Sequence, residues 1–193
     1  MKNLNKQTLA LKTTVLPEAK INTFSLILAL IFGVLAIFIP SFIHEQWITG
    51  PIINTLLFLS VVLIDVKYAI IIGLFPSITA LSSGLLPIVL APMVPFIMFS
   101  NTILVLIFGC LKDRNYWLGI FIAALLKFSW LLFNSSIVTK LVVKKTLAAK
   151  ISQMMNWPQF ATAIMGGILA WGIIQFISRQ DTIVYNRKNC KED

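Results

Sequence analysis

The chain has 193 residues, of which 58% are apolar and 12% charged, with a mean hydropathy of +0.90. A soluble domain is usually about 45–50% apolar and about 25% charged, so this composition predicts an integral membrane protein made of one helical bundle. The formal net charge of +9 sits at segment ends. It is therefore a topology signal and excludes a nucleic-acid footprint.

Residues 1–20 carry Lys2, Lys6, Lys12 and Lys20 against Glu18. They predict a cytoplasmic N-terminal arm, and no secretory signal is expected there because the first apolar run is too long for one. The first span is predicted over about Phe24–Ile43. Within it Ala29 and Gly33 lie four apart, a small-xxx-small face that lets another helix approach closely. Residues 44–50 are expected to form a loop, with the single histidine, His44, solvated beside Glu45 and with Trp47 at the interface. The second span is expected over about Pro51–Ile64, or from Ile48 if it starts earlier, with Asn54 near its outer end and Asp65 and Lys67 in a tight inner turn. The third, about Tyr68–Leu81, is short and contains Pro76.

Residues 82–84 read as a loop, and Pro87, Pro92 and Pro95 then break regular helix. Irregular backbone at membrane depth is tolerated where it is buried in protein or lines a cavity. This stretch is a candidate wall or lid. The fourth span, about Val94–Leu111, carries Asn101 in its middle.

The fifth span, about Trp117–Val138, holds one charge, Lys127, near its centre. A lysine at that depth costs roughly 2.5–3.5 kcal/mol on insertion scales, so it must meet protein, water or a ligand. Trp130 and Asn134 follow at i+3 and i+7 on the same side. Residues 139–157 hold four lysines and are expected to lie in the interface as an amphipathic segment. The sixth span, about Pro158–Ser178, places Gln159, Thr162 and Gly166 on one face, and Gly166-Gly167 permits close packing. A basic tail, 179–193, ends the chain.

With both termini inside, the inner segments carry 11 Lys and Arg and the outer loops 4. That bias predicts an all-α, six-transmembrane-helix bundle over residues 21–178, N-in and C-in. Cys110 and Cys190 then fall on the cytoplasmic side and match no metal or redox spacing. In this topology Asn101 lies roughly 10 Å below the outer surface and Lys127 roughly 15 Å above the inner one. Lys127, Asn101, Asn54, Gln159, Thr162, Asn134 and Trp130 are the candidate substrate-binding residues of one apolar-walled cavity. Lys127 favours a carboxylate, phosphate or other electron-rich group. For each amide, interhelical hydrogen bonding without a ligand is the plainer alternative.

The segments ITGPIIN (48–54), LPIVLAPMVPFIMFSN (86–101), WLGIFIAALLKF (117–128) and WPQFATAIMGGILA (157–170) together resemble substrate-specific S components of energy-coupling factor (ECF) transporters. The resemblance covers most of residues 24–178. It implies a six-helix bundle in the cell membrane that captures a micronutrient, such as a vitamin or precursor, from outside. It also implies partners: a transmembrane coupling subunit and two cytoplasmic ATPases. The family docks its coupling subunit on an Ala-xxx-Ala face of the first helix. Here that position reads Ala29 to Gly33. The family lid corresponds to residues 44–50 and 82–92.

No Gly-x-x-x-x-Gly-Lys-Ser/Thr motif is present, so any ATP is used by partner subunits and the chain itself needs no cofactor. One histidine, no His-Glu-x-x-His and no acid inside a span argue against an enzyme and against a metal site. Two other readings stay open: a stand-alone secondary carrier, and a structural subunit of a membrane complex.

Overall fold

The computed structural model describes residues 23–43, 45–86, 88–142 and 155–189. Six α-helices follow one another in chain order among these residues: α1 Thr23–Phe42, α2 Gln46–Leu63, α3 Val66–Ser82, α4 Val94–Leu111, α5 Tyr116–Val142 and α6 Trp157–Asn189. A short 3-10 helix, Ile88–Met93, leads into α4. No strand occurs among the described residues. Five of the helices are long and apolar enough to cross a membrane. The remaining one, α3, is apolar but has 17 residues. The predicted all-helical architecture is thus present, with five membrane-crossing lengths.

The sequence sets the helix ends. Asp65 starts α3 by accepting the Lys67 backbone N–H at 2.8 Å, satisfying a donor that the first turn leaves unpaired. Asn115 does the same for α5 through Leu118 N–H at 3.1 Å. After α3 the chain turns at Gly84, whose φ of +81° is accessible to glycine without a Cβ penalty.

The central helix is α2, packed against α1, α3, α4 and α6, while α4 pairs most closely with α5. Lipid tails are as apolar as Leu, so close fit rather than water exclusion holds such helices together. The glycines show that fit. A Cβ on Gly166 would come within 2.6 Å of Asn54 Cβ and 2.9 Å of Pro51 O, so α6 rests directly on the α2 backbone. A Cβ on Gly50 would meet the Thr162 side chain at 2.9 Å. The expected close approach at Gly166-Gly167 is therefore realised, with Gly167 against Ile120. The outward faces carry large apolar side chains, including Leu30, Phe38, Phe133 and Phe176.

Several boundaries differ from expectation. Residues 46–50 are helical and form the first turns of α2, so the loop expected over 44–50 shrinks to the residues before Gln46. A Gly-Pro pair ordinarily marks a start. Here the helix runs through Pro51 because Gly50 seats against Thr162, and neighbouring groups compensate for interrupted ladders in apolar surroundings. Pro40 and Pro76 likewise lie inside α1 and α3. At the far end, α6 continues to Asn189, through most of the stretch expected to be a tail. The N-terminal arm, His44, the lysine-rich residues 143–154 and Cys190 lie outside the described residues.

Candidate functional site

A cavity of about 110 Å³ opens at the end of the bundle where α1 and α3 finish and α2, α4 and α6 begin. Its apolar wall comes from Pro40, Ile53, Pro76, Ala80, Leu85, Leu86, Ile97 and Met155. Its polar groups are Gln46, Thr49, Asn54, Ser77, Asn101, Lys127 and Gln159. Four predicted residues, Lys127, Asn101, Asn54 and Gln159, therefore meet on one wall although they come from four helices.

The geometry at the cavity floor follows from one buried cation. Lys127 is 3% exposed. Its Nζ donates to Asn54 Oδ1 at 2.7 Å and to Asn101 Oδ1 at 2.8 Å. An ammonium accepts nothing, so both amides must turn their oxygens toward it and their NH2 groups away. Asn101 Nδ2 then donates to Gly73 O at 2.8 Å. Gly73 allows this approach, since a Cβ there would lie 3.3 Å from Asn101 Cβ and from Leu57 Cδ2. The result is a network joining α2, α3, α4 and α5, with about 12 Å of α2 between its first residue and Asn54.

Two neutral oxygens solvate a charge but do not balance it. The only ion pair among the described residues is Lys112–Asp113, at the opposite end. None of the cavity wall is acidic. Nor does the lysine-rich segment 143–154 contain an acid. The ammonium has a third N–H, and no acceptor for it lies among the described residues.

Ser77 adds a second open position. The other buried Ser and Thr hydroxyls among the described residues donate to backbone carbonyls: Thr49 to Ile43, Thr55 to Pro51, Ser60 to Leu56, Ser100 to Ile97, Ser135 to Leu132 and Thr162 to Gln159. Ser77, 4% exposed, has no partner at all. The carbonyl it would use four residues back is Gly73 O, which receives the Asn101 amide.

The roof of the cavity is partly the irregular stretch after α3. Leu85 and Leu86 line it, and Leu86 packs with Leu90, Met93, Val94, Leu131 and Met155 in a small apolar cluster of its own. Ser83 Oγ donates to Pro40 O at 2.9 Å, fastening this stretch to the end of α1.

Three of the predicted residues sit off the wall. Trp130 Nε1 donates to Phe96 O at 3.2 Å and its ring stacks on Phe99, so it ties α5 to α4 beside the cavity. Asn134, one turn further on, turns back and donates to its own helix at Trp130 O. Thr162 is spent on packing against Gly50. A helical face is wider than one cavity, which is why a shared face did not guarantee a shared wall. Conversely, Gln46, Thr49, Ser77 and Met155 line the cavity without having been singled out. The available signal for Ser77 was its spacing of four from Gly73 beside Pro76. For Gln46 and Thr49 it was hidden by reading residues 44–50 as loop.

On α1, Ala29 and Gly33 are both half-buried, and a Cβ on Gly33 would meet nothing within 4 Å. Among the described residues no group of three or more His, Cys, Asp or Glu is placed to hold a metal. Cys110 is free and exposed. No family model, curated protein or solved structure matches the chain.

Proposed function

We propose that this chain is the membrane-embedded substrate-binding subunit of an ATP-driven, ECF-type uptake transporter for a small micronutrient. In this reading the bundle spans the cell membrane six times with both ends in the cytoplasm, α3 being a short span. The cavity faces outward. A transmembrane coupling subunit and two cytoplasmic ATPases supply the energy.

The observation that carries the reading is the cavity floor, a lone buried cation held by Asn54 and Asn101 with a donor left over. A structural lysine in apolar surroundings is expected to be paired or to reach the interface. This one does neither among the described residues, and it lines a cavity. An ionisable group kept at such cost marks a substrate or ion position. The outward-facing surface of α1 supports a partner, since 17% of its apolar window is buried, the lowest share of the five helices long enough to cross.

The test is native mass spectrometry of the protein purified in detergent, followed by denaturing extraction of whatever it retains. The expected result is a stoichiometric small molecule, absent from Lys127→Met, and co-purification with ATPase-bearing partners. Protein that is both empty and alone, made at native levels, would overturn the reading.

A further inference from the structure

We propose that the cavity selects a monoanionic carboxylate carried on an apolar body of about one ring. This deepens the reading of the cavity as a substrate site and rests on it. Three features of the cavity point to this class.

The first is charge. Among the described residues the wall holds one cation and no acid. In low dielectric a net charge left inside is expensive, so the ligand that suits one ammonium carries a single negative charge. A phosphate monoester, with about −1.5 to −2 at neutral pH, would bring an uncompensated charge into the bundle. A neutral solute would leave the ammonium unbalanced.

The second is the sign of the hydrogen-bonding groups. The third Lys127 N–H, the Asn54 NH2 and the Ser77 hydroxyl are all without acceptors among the described residues. The two amide oxygens on this floor, by contrast, are both consumed by Lys127. What remains is a set of donors contributed by α2, α3 and α5. A carboxylate, with two oxygens and about four lone-pair positions, accepts from such a set and donates nothing. The Ser77 hydroxyl is free because Asn101 takes Gly73 O, so the network that seats the ammonium also releases the donor beside it.

The third is size. A volume of about 110 Å³ is of the order that accommodates a benzene-sized ring, for which an engineered apolar cavity of about 150 Å³ suffices. Beyond the donors the wall is mixed: Ile53, Pro76, Ile97 and Met155 are placed to contact a ring, and Gln46, Thr49 and Gln159 line the cavity with them.

The experiment uses the full-length protein in detergent, stripped of retained solute, and three probes that share one ring. These are benzoate (monoanion), benzamide (neutral) and phenyl phosphate (mostly dianion), with binding read by calorimetry and by thermal shift. Benzoate is expected to bind at least about ten-fold more tightly than either of the others, the scale of one charge-assisted hydrogen bond. Ser77→Ala, which adds no volume, is expected to weaken benzoate about ten-fold and to leave benzamide within about two-fold.

Equal binding of benzamide would overturn the charge argument. Tighter binding of phenyl phosphate would overturn the monoanion assignment. An unchanged benzoate affinity in Ser77→Ala would remove the serine from the site. Absence of benzoate binding at millimolar concentration would overturn the substrate class. The subunit reading would still stand if the unstripped protein co-purifies with ATPase-bearing partners, and would fall with it if the protein is empty and alone.

Discussion

Where α4 runs into α5, Phe108 is fully buried and takes Phe58 and Tyr116 edge-to-face, with ring centroids 4.7 and 5.3 Å away. Gly109 and Gly119 bring Val66 and Phe108 to within a Cβ's reach there, and the Tyr116 hydroxyl donates to Gly167 O at 3.2 Å. At the opposite end the same helices diverge around a cavity whose floor is an ammonium, two amides and an unpartnered hydroxyl. Both ends keep space, the aromatic one a cavity of about 220 Å³ beside Tyr116, but only the other end combines its cavity with a buried cation and an unsatisfied hydroxyl. On the proposed function, stability rests chiefly on the aromatic end and binding on the cavity end, and substitutions should separate them.

The largest cost to the fold should come from the aromatic cluster. Phe108→Ala removes both ring contacts and leaves a void that α4 and α5 cannot close. The expected loss is about 3 kcal/mol, the lower end of the range for burying-site Phe→Ala, because a chain in lipid has little water-transfer term to lose. Denaturant titration in detergent should show this loss. Solute retained per folded molecule should stay at the wild-type level.

Gly166→Ala sharpens the comparison because Gly166 rests against Asn54, on the cavity floor. Its new methyl would meet Asn54 Cβ at 2.6 Å and the α2 backbone at 2.9 Å, and backbone cannot rotate away. We expect a loss of about 1–3 kcal/mol together with weakened solute retention, since Asn54 must shift off Lys127. Gly167→Ala is the control. Its methyl meets Ile120 at 2.7–2.8 Å and not Asn54; that buried β-branched side chain must shift, so stability should fall while retention survives.

Lys127→Met should invert the Phe108 result. Two amide oxygens lose their donor, at about 1–3 kcal/mol each if neither finds another, but the cost of burying a charge is returned. The net change in stability is expected to be small, about 1 kcal/mol, while retention and uptake are abolished. Wild-type uptake by this variant would end the assignment of the cavity as the substrate site.

The floor of the site was legible in the sequence because its members are costly. A lysine in the middle of a 22-residue apolar run must meet protein, water or a ligand, and an asparagine in the middle of another is a group that it can meet. The fourth helix was read at its observed ends, since Pro95 at its start and Lys112 after its end are unambiguous signals. Gln46, Thr49 and Ser77 were not legible for the opposite reason. Small polar residues near Gly and Pro read as loop or as ordinary back-bonded hydroxyls. Only the packed structure shows that Gly50-Pro51 continues a helix, or that the Gly73 carbonyl is already taken. Trp130, Asn134 and Thr162 show the limit of face arithmetic. Residues 3 or 7 apart share a side of a helix, but that side is divided between cavity and neighbour.

The smallest effect on the fold is expected on α1, which contributes only Pro40 to the cavity and nothing to the aromatic cluster. Its buried side is Phe32, Ala36 and Pro40, spaced by four, and Gly33 lies beside that stripe in open space. Gly33→Trp therefore starts a large side chain at a position where a Cβ meets nothing within 4 Å. Folding should change by no more than about 0.5 kcal/mol, as for a surface substitution, and solute retention should be that of the wild type. If α1 presents a small-residue face to a coupling subunit, the same indole stands where two backbones must approach closely, and uptake should fall while binding persists. Co-purification separates the outcomes. Loss of the partner with retained solute places the docking face at Ala29 and Gly33. Unchanged co-purification and uptake would remove α1 from the interface and leave its exposed apolar surface to lipid.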